Sequence, residues 1–87
     1  MKEISPQQLE ELINWHISNN AIVKNLSFSS FKEAVQFVNK LAIMAEKHHH
    51  HPEINIDYNR VEITLTTKDC GKITEKDFVL AQEIDTL

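Results

Sequence analysis

The period of the apolar residues changes from segment to segment, and each change marks an element. Leu9, Leu12 and Ile13 stand at i, i+3 and i+4, the spacing of a short helix with one apolar face. Ser5, with Pro6 behind it and Gln8 three residues on, is a capping-box start for that helix. Trp15 and Ile17, followed by the turn-like pair Asn19-Asn20, predict a strand and a hairpin, with residues 21–28 as the return strand. Ile22, Leu26 and Phe28 keep the strand phase, and Lys24 departs from it.

Ser30 with Glu33 forms a second capping box and opens the longest helix. Its inward stripe is Phe31, Ala34, Val35, Val38, Leu41, Ala42 and Ala45, widened by Phe37 and Met44 as expected for a helix lying on a sheet. Pro52 disfavours helical backbone at the residue before it, so the helix should end near His49 or His50. Two alternating runs, residues 54–58 and 61–66, predict half-buried strands joined at Asn59-Arg60, and residues 68–72 a turn with positive φ at Gly71. Thr74 and Asp77 cap a last helix, with Ile73 and Phe78 as a hydrophobic staple and Phe78, Ala81, Gln82 and Ile84 as its inner face. The order α-β-β-α-β-β-α predicts an α+β fold, a four-stranded antiparallel sheet with three helices packed on one face. Its outer strands are then open to pairing with another subunit.

Composition narrows the classes. The 87 residues suit one domain over the whole span 1–87, with a modest core that self-association would help. A formal charge of −4 argues against direct nucleic-acid binding, which relies on clustered basic side chains. The longest apolar run, residues 41–45, is far too short to span a membrane, and the first residues lack the apolar stretch of a signal peptide. Cys70 is alone, so no disulfide or CxxC pair is available. A soluble, cytoplasmic protein is expected.

The chemistry concentrates at the end of the long helix, where His48, His49, His50 and His51 run directly into Pro52 and Glu53. Imidazole exchanges protons near neutral pH, and a buried element has no packing use for four in succession. Imidazole also binds zinc, nickel and copper. Adjacent histidines at one helix end cannot all converge on one ion, however, and a tetrahedral site draws ligands from several elements. The bland alternative is a solvated helix end.

From Glu46 to Asp77 the chain resembles the pterin-4a-carbinolamine dehydratases, also known as the dimerisation cofactor of a homeodomain transcription factor. That family has an acidic or similar residue, three residues, His-His-Pro, an aromatic, then a His or Trp, then an Asp. Here these are Glu46, His50-His51-Pro52, Tyr58, Lys68 and Asp77. Phe28-Ser29-Ser30-Phe31, Ala34-Val35-Gln36-Phe37 and Trp15 are similar to the family as well, so the resemblance covers essentially the whole chain.

The resemblance implies an enzyme that removes water from 4a-hydroxytetrahydropterin to give the quinonoid dihydropterin, recycling the pterin of aromatic amino-acid hydroxylases. It implies His50 and His51 as the acid/base pair, Pro52, Glu53 and Lys68 at the substrate, and Glu46 and Asp77 as carboxylates behind the histidines. The pterin is the substrate, with no cofactor and no metal, and the protein is a homodimer or homotetramer. Tyr58 is expected to pack, and His48 and His49 to lie at the surface. Asp77 reads equally well as a helix cap. Lys68 is the departure, because a lysine donates hydrogen bonds but is a poor base at neutral pH. That substitution leaves open a non-catalytic pterin- or protein-binding factor on the same fold.

Overall fold

The structure is a computed structural model, which describes residues 2–87. Its elements are α1 (Pro6–Glu11), β1 (His16–Ser18), β2 (Ala21–Ser27), α2 (Phe31–Lys47), β3 (Glu53–Asp57), β4 (Arg60–Leu65) and α3 (Glu75–Ile84), the α+β order the sequence predicts. The strands form one antiparallel sheet in the order β1-β2-β4-β3. Strand alternation sends Ile22, Val61, Ile63 and Leu65 into the core, where Ala34 and Leu41 of α2 and Leu80, Ala81 and Ile84 of α3 meet them. The opposite sheet face carries Asn25, Glu62 and Asn55 in register and stays open. Among the described residues, no helix is long and apolar enough to cross a membrane.

The caps hold α1 and α3 as expected. Gln8 N–H donates to Ser5 Oγ at 3.2 Å while Ser5 N–H donates to Gln8 Oε1 at 2.9 Å. Thr74 and Asp77 form the corresponding box on α3. Ser30 caps α2 by accepting from Glu33 N–H at 3.1 Å, but the Glu33 carboxylate goes to the Ser29 hydroxyl, so only half of that box exists. The segment ahead of α1 pairs with the start of α3, with Ile4 N–H donating to Ile73 O at 2.9 Å and Glu75 N–H to Lys2 O at 3.2 Å.

Several apolar positions differ from the periodic reading. Helix α1 stops at Glu11, the chain turns at Leu12, and Ile13 is left out of phase at 85% exposure. Phe31 and Ala42 fall outside the buried stripe of α2. On α3, Leu80 rather than Gln82 faces the core. The β3–β4 turn is Tyr58-Asn59, one residue earlier than predicted, because Asp57 pairs with Arg60. Asn59 instead fastens the turn to β2, its side-chain amide donating to Phe28 O at 2.8 Å. Tyr58 therefore sits exposed at the hairpin tip with φ 53° and does not pack. Lys24, the polar break in β2, reaches Asp85 beyond α3; Asp85 also accepts from Trp15 Nε1 at 3.0 Å. Gly71 has the positive φ expected of it, at 65°.

Candidate functional site

The end of α2 arranges the histidine run. Lys47 is its last residue and His48 its C-cap, slightly before the predicted end. His49 adopts φ 52°, its N–H donating to Glu46 O at 3.2 Å, and His50 N–H donates to Ala45 O at 3.1 Å. This is a Schellman motif with histidine in the left-handed position that usually holds glycine. The reversal at His49 ends the helix before Pro52 can act, and it separates the directions of the four side chains.

His50 turns towards α3. Its side chain is 11% exposed, and Nε2 lies 2.5 Å from Oδ1 of the fully buried Asp77. The other carboxylate oxygen, Oδ2, accepts from Thr67 Oγ1 and from Thr74 N–H, each at 2.8 Å. Thr67 spends its one hydroxyl proton on Asp77, so Thr74 Oγ1 donates to Thr67 Oγ1 across 2.7 Å. Asp77 is thus both the cap of α3 and the carboxylate behind His50; the two readings of that residue are one arrangement. An ionised carboxylate only accepts, so a neutral His50 carries its proton on Nε2 and leaves Nδ1 unprotonated.

His51 turns back along α2 and pairs through Nε2 with Glu46, both side chains being largely exposed. His48 does not lie free at the surface. Its Nε2 is enclosed 3.3 Å from Glu83 Oε1 of α3, though out of hydrogen-bond alignment. Consecutive histidines therefore address α3, the cleft, α3 again and α2.

His49, His50 and His51 line a cleft of about 270 Å³, closed by Thr66, Thr67, Lys68 and Asp69 after β4 and by Lys76 of α3. Two larger hollows, of about 510 and 420 Å³, lie over the open sheet face; neither holds the paired histidines or their carboxylates. Lys68 thus reaches the same cleft as His50 and His51. Pro52 and Glu53 do not line it: Pro52 is half-buried beside it, and Glu53 pairs with Thr64 at the start of β3, in the row that alternates with the core pair Ile54–Ile63. No group of three or more His, Cys, Asp or Glu side chains among the described residues is placed to hold a metal ion.

Thr67 and Lys76 were not singled out by the sequence. Thr67 continues the inward phase of Val61, Ile63 and Leu65, so a buried threonine at the end of β4 could have been read from the alternation. Nothing local marks Lys76, which the packing of α3 brings to the cleft.

The family model described as pterin 4 alpha carbinolamine dehydratase matches residues 2–87. A candidate pterin-4-alpha-carbinolamine dehydratase of Chloroflexus aurantiacus is 46% identical over 93% of this chain and 87% of its own length. One from Sulfurisphaera tokodaii is 42% identical over 100% of this chain and 98% of its own. Among solved structures, a transcriptional coactivator/pterin dehydratase from Brucella melitensis superposes with a TM-score of 0.87 at 30% identity, covering 98% of this chain and 97% of the other. A pterin dehydratase-like protein identified as a RuBisCO assembly factor in the alpha-carboxysome gives 0.67 at 25% identity, covering 83% of each chain.

Proposed function

The chain belongs to the pterin 4 alpha carbinolamine dehydratase family, and from that premise we propose that it dehydrates 4a-hydroxytetrahydropterins to quinonoid dihydropterins. The observation that carries this reading is the pair of histidines at one cleft, each with its own carboxylate, His50 with Asp77 and His51 with Glu46. In the reaction the C4a–O bond breaks, the N5–H proton leaves to a base, the C4a=N5 bond forms, and the departing hydroxyl takes a proton to become water. His50 and His51 share the two proton transfers, each typically contributing 10²–10⁴-fold in rate. Asp77 and Glu46 fix the imidazole tautomers, and Lys68 donates to a polar edge of the pterin. The reaction uses no metal and no cofactor.

The protein then works in pterin recycling as a cytoplasmic homodimer or homotetramer, linked to an aromatic amino-acid hydroxylase. The test is the rate of dehydration of synthetic 4a-hydroxytetrahydropterin against the spontaneous reaction. The wild type should accelerate it, His51→Ala should lose about 10²-fold or more, and Lys68→His should gain. No acceleration at high protein concentration removes the reading.

Lys68 also favours a second reading, a pterin- or protein-binding factor that has given up turnover, since the structurally similar assembly factor shares the fold. A specific protein partner recovered without pterin turnover supports it.

A further inference from the structure

One imidazole of the histidine run is left without a partner. His48 stands 3.3 Å from Glu83, His50 is tied to Asp77 and His51 to Glu46, each through Nε2. Among the described residues, His49 has no carboxylate within 4.0 Å and no side-chain hydrogen bond, so both of its ring nitrogens are free. It is exposed and lines the same cleft as His50 and His51. His16 also lacks a partner, but it lies at a hollow over the open sheet face, away from the paired histidines. His49 further occupies a backbone position that glycine would fill without a β-carbon penalty, with φ 52° after the end of α2. Tyr58 adopts a similar φ at a hairpin tip, so the conformation alone is no mark of function. At His49 it coincides with a free imidazole in the wall of the cleft.

The dehydration makes three demands at the reacting centre. A base takes the N5 proton, an acid gives a proton to the departing hydroxyl, and the electrons of the C4a–O bond gather on that oxygen as it leaves. With Nε2 turned to a carboxylate, His50 and His51 each have one ring nitrogen left, and the two proton transfers use both. Lys68 is committed to the pterin edge. The hydroxyls of Thr66 and Thr67 donate to Asn20 O and to Asp77, and the Asp69 carboxylate would repel charge gathering on oxygen. The donors that remain in the wall are His49 and Lys76. Lys76 reaches in from α3 on a flexible four-carbon stem. His49 is bonded directly to His50, and its backbone is fixed by the 3.2 Å contact of its N–H with Glu46 O. We propose that His49 is a third substrate-contacting histidine, a ring N–H donating to the 4a oxygen as the C4a–O bond breaks, while His50 and His51 carry the two protons. No proton passes through His49, so the products are still the quinonoid dihydropterin and water. This rests on the dehydratase reading, because the contact exists only with that substrate in the cleft. A donor aimed at charge that develops in the transition state speeds turnover without tightening ground-state binding.

The experiment measures kcat and KM for dehydration of synthetic 4a-hydroxytetrahydropterin, above the spontaneous rate, in the native protein and in His49→Gly, His49→Asn and Lys76→Gln. Glycine removes the imidazole and suits the left-handed backbone, so the urea midpoint should hold or rise. In that variant kcat should fall roughly tenfold, the worth of one hydrogen bond, with KM little changed. Asparagine also suits the backbone and returns an N–H, so its kcat should lie between the two. Native kcat in either folded His49 variant, a loss carried by KM alone, or a larger loss of kcat in Lys76→Gln than in His49→Gly overturns the third contact and leaves the dehydratase reading in place. No acceleration by the native protein is the separate result that overturns the dehydratase reading and the contact with it.

Discussion

His50 and His51 are neighbours in the chain and stand in opposite physical settings. His50 is mostly buried against Asp77, which is in turn held by Thr67 and Thr74, and every polar atom of that carboxylate has a partner. His51 is largely exposed, and so is the Glu46 that it touches. The first contact is rigid, because moving any member strands a buried polar group. The second can break and reform in water at little cost. The two histidines thus differ in kind: one is fixed by the fold and one is free to exchange partners with solvent.

That contrast can be broken most forcefully at its buried end. Asp77→Asn keeps the shape but removes the charge. With its oxygen still on Thr67 and Thr74, it turns an amide N–H towards His50 Nε2, which must give up its proton, so it should destabilise the protein by about 2–4 kcal/mol. Urea unfolding measures this, and a loss within experimental error would show that the network does not hold α3. Thr67→Val comes next, at about 1–2 kcal/mol, since it takes one of the two hydrogen bonds from Asp77 Oδ2. Thr67→Ser keeps the hydroxyl and should cost less than the valine variant; equal losses would mean that packing, not hydrogen bonding, is at stake. At the exposed end, Glu46→Gln should change stability by less than about 0.5 kcal/mol, because the pair is solvated. A larger effect in the same denaturation experiment would contradict the division between a rigid and a labile histidine.

The sheet was readable because alternation is a local signal. Val61, Ile63 and Leu65 announce a half-buried strand without reference to anything distant. Local pattern fails as a guide where it meets a tertiary demand. Tyr58 occupies an alternating position and would pack by that rule, but the register of Asp57 with Arg60 places it at the turn. Lys24 breaks the alternation of β2 for a reason 61 residues away, its contact with Asp85.

By itself, then, the sequence determined the element order, the Ser5 and Thr74 caps, the apolar sheet face and the presence of paired histidines beside a proline. All of these depend on groups within a turn or two of one another. Only the tertiary structure decided that the four histidines separate, that Asp77 stands behind His50 from 27 positions away, that Thr67 supports it, and that two lysines from different elements share the cleft. The reversal at His49 needs a particular backbone conformation that no histidine advertises, and the Asp77 contact needs α3 docked on the end of α2. Periodicity carries neither, because it records which side of an element faces inward and not what stands opposite.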